Sequence, residues 1–408
     1  MPAHTSKLHI ALVTETFPPE INGVAMTLHR LVSSLARRHR VTVFRPRQPS
    51  EAATERVRRN ANFTEFLRPG LPVPGMGFQV GMFSTTMLGR WWRRDRPDLV
   101  HVATEGPLGV SALRAARALN LPVSSSFHTN FDDYTKHYGI GPLKEVVAGY
   151  LRRFHNRTRR TMVPSRDLMQ ALQRQGYRNL VLFARGVDTM MFSPLRRDQA
   201  LRASWGAGEH ATVLMTVGRV AWEKSLPLAI EAAARIRANH PDTVMVVVGD
   251  GPARAELQSR YPWVVWTGFR TGIELAQHYA AADLFLFPSM SETFGNVVLE
   301  AMASGVPAVA FDYAAPKRYI RHAGNGWLVP FGDEARFSEV AVGAAASPRT
   351  LRSFGEAART TTLDIHWEQV IDGFESTLRE VIAEHHGLPP EGREVAGSRG
   401  RGVELLTA

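Results

Sequence analysis

Short apolar runs alternate with amphipathic stretches along most of the 408-residue chain. The run LHIALV (residues 8–13) leads through a Pro/Gly loop to AMTLHRLVSSLARR (25–38), whose apolar residues recur at helical spacing, and then to VTVF (41–44). Recurrence every three to four positions marks a helix, and a short apolar run bounded by turn residues marks a buried strand. The chain therefore opens β–α–β. Further strands are predicted at LVHVAT (99–104) and PVSSSFH (122–128), with GPLGVSALRAARALN (106–120) as the helix between them. Residues 50–85, rich in Pro, Gly and polar side chains, read as a long irregular excursion.

The pattern restarts near residue 190. ATVLMTVGR (211–219), TVMVVVGDG (243–251), VVWTGF (264–269), ADLFLFPS (282–289) and PAVAFD (307–312) read as strands, with helices such as LPLAIEAAARIRANH (226–240) between them. ARGVDTMMFSPLRR (184–197) has turn residues and no period, and reads as the linker. HWEQVIDGFESTLREVIAEHH (366–386) is one amphipathic helix, and the Gly-, Pro- and charge-rich residues 387–408 read as a disordered tail. The expected class is α/β, with two doubly wound Rossmann-like domains at residues 1–190 and 191–365. A chain of this length exceeds one ordinary core. Two such domains in series leave a cleft at the carboxyl ends of their strands, where open α/β sheets take ligands.

Composition narrows the class of protein. An apolar fraction of 44% with 21% charged residues is that of a folded globular chain. No stretch approaches the roughly 20 apolar residues of a membrane-spanning helix. The start, MPAHTSKLHIALVTETF, lacks the features of a signal peptide, so a cytoplasmic location is expected. The absence of cysteine excludes a disulfide framework, a thiolate metal site and a thiol nucleophile. The net charge of +11 is unevenly shared: residues 1–190 hold 28 Lys and Arg against 13 Asp and Glu, the remainder 21 against 25. Such asymmetry suits nucleic acid, an anionic membrane surface or an anionic small ligand. Two clusters concentrate it, RWWRRDRP (90–97) and YLRRFHNRTRR (150–160). Tryptophan beside arginine suits a lipid headgroup zone, the alternative being a plain solvated helix face. Nucleic acid has charge alone in its favour, because no recognition motif accompanies it.

The candidate chemistry falls in loops that leave predicted strands. Gly23 lies between the first strand and its helix, where a missing side chain lets a phosphate approach free N–H groups. Neither a GxGxxG fingerprint nor a GxxxxGK[ST] loop occurs. Arg219 and Lys224 share one strand exit and could hold a diphosphate as fork and point charge, unless they are ordinary surface charges. Glu292 and Glu300 stand eight positions apart, the first just before the predicted helix NVVLEAMAS (296–304) and the second inside it. Eight helical residues turn through about 80° net, so both carboxylates could face one side and accept sugar hydroxyls; unrelated surface glutamates are the alternative. His128 and Asn130 close a strand in FHTNFDDYTKHYG, where a histidine could donate to a hydroxyl or phosphate or be purely structural. Asp132 and Asp133 are adjacent and so point oppositely on an extended chain, and no metal site is expected.

Taken in order, ETFPPEINGV, FHTN, VPS, RGVD with Phe192, VGRVAWEKS, VVGDGP, TGF and FPSMSETFGNVVLEAMASGVPAV resemble the retaining GT-B glycosyltransferases of family four, over most of the chain. The resemblance implies a donor site in the second domain and an acceptor site in the first, with helix 366–386 crossing back onto the first domain. It makes Glu292 and Glu300 the family's E-x7-E pair, the first on the donor sugar and the second on the ribose. Arg219 and Lys224 would contact the leaving diphosphate, Gly23 would line that phosphate site, and His128 would lie near the reacting sugar. Phe294, Gly295 and Asn296 would approach the donor through backbone N–H groups, with Asn130 and Tyr134 on the acceptor side. Two positions depart from the pattern: Asn22 precedes Gly23 where many relatives carry a glycine pair, and Ser225 follows Lys224 where glycine is common. ETFPPEINGVAMTLHRLV and FHTNFDDYTKHYG look most like the branch with GDP-mannose-dependent α-mannosyltransferases and sulfoquinovosyl or glucosyl diacylglycerol synthases. The implied partners are a sugar nucleotide, GDP-mannose first, and a lipid-linked acceptor at the inner face of the plasma membrane, with no cofactor and no nucleic acid. A sugar-nucleotide 2-epimerase is the rival within the same architecture.

Overall fold

In the computed structural model, residues 6–20, 22–72, 79–128 and 144–388 are described. The first sheet contains β1 (His9–Val13), β2 (Arg40–Arg47), β3 (Arg56–Arg58), β4 (Phe63–Pro72), β5 (Gln79–Gly81), β6 (Leu99–Val102), β7 (Val123–Ser126), β8 (Arg160–Val163) and β9 (Leu180–Leu182). Its order is β3-β4-β2-β1-β6-β7-β8-β9, with β5 paired to β4. The second contains β10 (Val213–Val217), β11 (Val244–Val248), β12 (Val265–Gly268), β13 (Leu284–Phe287), β14 (Ala308–Phe311) and β15 (Gly326–Val329), in the order β12-β11-β10-β13-β14-β15. The second sheet is parallel throughout, and β13 and β14 are apolar at every position because helices bury both of their faces. In the first sheet only the pairs β3–β4 and β4–β5 are antiparallel.

Residues 50–85 are not an irregular excursion, since they hold β3, β4 and β5. The reason is a buried charge. Arg45 on β2 and Glu65 on β4 are 1% and 2% exposed, and Arg45 donates to Glu65 from Nε at 2.9 Å and from Nη2 at 2.6 Å. Glu51 takes the other edge of the guanidinium at 2.6 and 2.7 Å. A carboxylate on an inward strand position breaks the alternation by which a half-buried strand is read.

The tryptophans of RWWRR do not face a headgroup zone. In the helix Thr85–Arg94, Leu88 and Trp92 are fully buried, and Trp91 lies against Phe66 and Phe44 at centroid distances of 4.7 and 5.6 Å. Positions 88, 91 and 92 share one helical face, which covers the sheet, while Arg90, Arg93 and Arg94 remain exposed. The second cluster is divided. Arg160 starts β8 and pairs with Glu384, whereas Arg153 and Arg157 are exposed.

The last helix, Trp367–His386, buries Trp367, Ile371, Phe374, Leu378 and Val381 at alternating spacings of four and three. These side chains join Leu8, Ile10, Leu31 and Val41 in the core of the first domain. At roughly 2 kcal/mol each, their burial contributes on the order of 10 kcal/mol. The chain thus crosses between domains twice, and the crossings lie side by side. Val187 N–H donates to the Ile365 carbonyl at 3.0 Å, and Val187 bridges His366. A Cβ on Gly186 would stand 2.7 Å from the Trp367 nitrogen, so only glycine lets the two segments meet.

Candidate active site

The half of the site on the second domain is built from the exits of β10 and β13. After β10, Gly218 at φ 155° leads to Arg219 and to a single 3-10 turn, Trp222–Lys224. Ser225 ends that turn in the left-handed region, φ 50°, where a glycine would be relaxed. The turn carries Lys224 across to the β13 exit: Nζ donates to Glu292 Oε1 at 2.6 Å and to the Ser291 carbonyl at 2.8 Å. The buried Ser289 hydroxyl donates to the same oxygen at 3.0 Å. Glu292 is thereby fixed through one oxygen, and among the described residues nothing bonds Oε2. Arg219 lies 3.5 Å from Glu223 and is partly exposed.

The helical arithmetic for Glu292 and Glu300 does not hold. The helix is Asn296–Ala303, and Glu292 precedes it in a loop that turns at Gly295, φ 93°. No side chain caps the helix at Gly295, and a helix N-terminus with free N–H groups favours an anion. Phe294 is buried, and its carbonyl accepts from Ala315 N–H at 2.8 Å, so the loop is tied to the next helix, Ala314–Tyr319. Asn296 Oδ1 is buried without a partner among the described residues. Glu300 Oε2 accepts from the Tyr279 hydroxyl at 2.9 Å. Burial pushes the Glu300 carboxyl up to about 7; the Tyr279 hydrogen bond and the charge of Arg30 oppose that rise.

In the first domain the candidate residues follow β1 and β7. Gly23 begins the helix Gly23–Leu35, and a Cβ placed there would meet nothing within 4 Å. The departure at Asn22 has a structural role. Its Oδ1 caps the helix by accepting from Ala25 N–H at 2.8 Å, and its Nδ2 donates to Thr16 and Glu20, each at 2.8 Å. His128 follows β7 and is buried, 7% exposed. Asn130 and Tyr134, expected on the acceptor side, lie outside the described residues. The domains touch where Asp167 after β8 pairs with Lys317 at 3.0 Å, and Arg30 donates to Asp188 of the linker at 2.7 Å.

Behind the β6 and β7 exits runs a buried polar chain that the sequence did not disclose. Glu105 Oε1 lies 3.0 Å from His155 Nε2, and His155 Nδ1 lies 3.0 Å from Ser125 Oγ. Its order is that of a serine hydrolase triad, but Ser125 and His155 are fully buried and Ser125 also meets Thr158 and Thr161, so the chain holds the fold. Beside it, Glu15 accepts from Leu108 N–H at 3.0 Å, and burial raises its carboxyl to about 7. Among the described residues no group of His, Asp and Glu could hold a metal ion.

Comparison with known proteins accounts for this arrangement. Residues 21–191 match the model "Glycosyltransferase Family 4", and residues 211–346 match "Glycosyl transferases group 1". The chain is 33% identical over 372 residues to a GDP-mannose-dependent alpha-mannosyltransferase of Mycobacterium tuberculosis, covering 90% of this chain and 94% of that one. The chain belongs to glycosyltransferase family four. The family-four chain is also 27% identical over 322 residues to the alpha-monoglucosyldiacylglycerol synthase of Streptococcus pneumoniae, covering 74% of this chain and 71% of that one. Among solved structures, the sucrose-phosphate synthase of Thermosynechococcus elongatus superposes with a TM-score of 0.75 at 17% identity, over 93% of this chain and all of that one. That likeness is one of fold, and the fold is GT-B. The protein is a glycosyltransferase.

Proposed function

We propose that this glycosyltransferase moves mannose from GDP-mannose to a hydroxyl of a lipid-linked acceptor, with retention of configuration, at the anionic inner face of the plasma membrane. The observation that carries the donor assignment is the fixed group Lys224–Glu292–Ser289, set beside the Gly295 turn and Glu300, in a chain whose 33% identical relatives are named for GDP-mannose. Glu292 Oε2 accepts from the sugar, Glu300 accepts from the ribose hydroxyls, and Lys224 turns from Glu292 to the diphosphate. Arg219 and the N–H groups after Gly295 complete the cradle for the charge that develops on the leaving phosphate. The acceptor oxygen forms its bond to the anomeric carbon on the face from which the diphosphate departs. The carbon–phosphate-oxygen bond breaks, and the acceptor proton passes to the leaving phosphate. No metal takes part. The membrane contribution falls to exposed arginines of the first domain, Arg90, Arg93, Arg94, Arg153 and Arg157, and not to the buried tryptophans.

A second reading, transfer from a UDP-sugar to diacylglycerol, is favoured by the relative named as a diacylglycerol synthase. Thermal stabilisation by GDP-mannose, UDP-glucose, UDP-glucuronate and UDP-sulfoquinovose separates the two, because selective binding to the folded state raises its apparent stability. A shift with GDP-mannose alone is expected. A shift confined to a UDP-sugar replaces the first reading with the second, and a sugar product formed without acceptor indicates the epimerase.

A further inference from the structure

Among the described residues three buried histidines lie on or near β6 and β7, and two of them are satisfied by the fold. His101 has Nδ1 2.9 Å from Ser124 and Nε2 2.9 Å from Ser126. His155 has Nδ1 on Ser125 and Nε2 on Glu105. His128 is satisfied on one side only. Its Nδ1 lies 3.1 Å from Nη2 of Arg185, while Nε2 is buried and has no partner among the described residues. A guanidinium donates and never accepts, so Nδ1 must hold the lone pair and the ring proton must sit on Nε2.

Arg185 is itself unusual. It is 5% exposed, it stacks on the Phe183 ring at 4.9 Å and donates to the Phe183 carbonyl at 3.2 Å, and among the described residues no carboxylate reaches it. A buried cation without a counter-ion is costly, and replacing it with an apolar chain would cost the fold little. Among the described residues, its one hydrogen bond to another side chain goes to the histidine. We infer that Arg185 is a positioning residue that locks His128 in the Nε2–H tautomer, so that His128 serves as a neutral hydrogen-bond donor to the bound sugar nucleotide and takes no part in proton transfer. Neutrality follows from the surroundings: burial, with the charges of Arg185, His101 and His155 around it, holds His128 well below the ordinary imidazole range. These groups come from the β9 exit, from β6 and from the helix Lys144–His155, so among the described residues no carboxylate acts on the ring.

The inference rests on the reading of His128 as a donor-side contact, and two readouts keep the two apart. In full-length protein labelled with nitrogen-15 histidine, the His128 ring signals, identified by their loss in His128→Gln, are expected to report the Nε2–H tautomer unchanged from pH 5.5 to 9. In Arg185→Met the tautomers should mix and the ring should titrate, with kcat falling roughly tenfold and gaining an acid limb that wild type lacks. Arg185→Lys, which keeps a cationic donor, should restore most of the rate and remove that limb. An Nδ1–H signal in wild type, or a His128 that titrates between pH 5.5 and 8, overturns the inference whether or not sugar nucleotides bind. Absence of donor binding by wild type overturns the functional reading and leaves the tautomer result standing. If Arg185→Met unfolds, the wild-type tautomer and the Arg185→Lys profile decide alone.

Discussion

Replacing Glu300 with glutamine should make the protein more stable and a worse enzyme, with both effects depending on pH. In the folded protein burial lifts the carboxyl from its ordinary 4.5 to about 7. An acid whose folded pKa is raised binds its proton more tightly folded than unfolded. Its stabilising contribution is therefore complete below about pH 4.5 and is lost as pH rises to 7. At roughly 1.4 kcal/mol per tenfold, the full loss is about 3 kcal/mol. Glutamine keeps an oxygen for the Tyr279 hydroxyl and carries no charge to desolvate. Glu300→Gln should therefore match wild type at pH 5 and exceed it at pH 8 by about 1 to 3 kcal/mol, which is roughly 3 to 10 °C in Tm. Donor binding should move the other way. Two ribose hydroxyls need the ionised carboxylate, which is about one-tenth populated at pH 6 and about nine-tenths at pH 8. Wild-type donor affinity should then weaken about tenfold from pH 8 to pH 6, while the glutamine variant binds roughly tenfold more weakly than wild type at pH 8, with little pH dependence. Calorimetric titration and melting curves at the two pH values measure both. A variant no more stable than wild type at pH 8, or wild-type affinity flat across this range, would refute the reasoning.

The remaining predictions concern the rest of the cradle. Lys224→Ala and Glu292→Ala should each lower kcat by well over roughly tenfold in steady-state assays, as loss of a transition-state contact does; near-wild-type turnover in a folded variant would remove the assigned roles. Gly23→Ala meets open space, so melting should be unchanged or slightly raised while KM for the donor increases; an unaltered KM would place the diphosphate elsewhere. Arg93→Glu with Arg94→Glu should reduce sedimentation with anionic vesicles at low salt and leave the melting curve in place. Trp92→Ala should destabilise the first domain by about 3 to 5 kcal/mol, and a folded variant that merely loses vesicle binding would contradict the burial of that ring.

The second domain was the more legible half, because β10, β11, β13 and β14 are apolar runs buried on both faces and announce themselves by composition. The first domain hid five strands, β3, β4, β5, β8 and β9. Glu65 points inward to meet Arg45, and that pair removes the alternation on which a strand is recognised. β8 begins inside the basic cluster, and β9 spans only three residues. The candidate site residues could be named from their resemblance to a family and the helix that carries Glu300 was legible, but the geometry joining Glu292 to Glu300 was not, since Glu292 stands in a loop that turns at a left-handed glycine and helical rotation does not relate the two. Ser289, Tyr279 and Arg30 gave no signal, because each reaches its carboxylate across a distance in sequence or a turn that only the fold closes. Arg185 lay within a quoted motif, yet its use depends on a histidine 57 positions earlier.

The paired crossings at Val187 and His366 also define what can be exchanged. Since the final helix belongs to the core of the first domain, the second domain is a cassette whose two ends leave the host through adjacent backbone segments, 3.0 Å apart at Val187 and Ile365. A chimera cut once between the domains would strip the host of its last helix and leave Leu8, Ile10 and Leu31 without a lid. Cut at both crossings, the segment between them becomes a replaceable insert, and on the proposed reading nucleotide specificity travels with it while the first domain keeps its final helix.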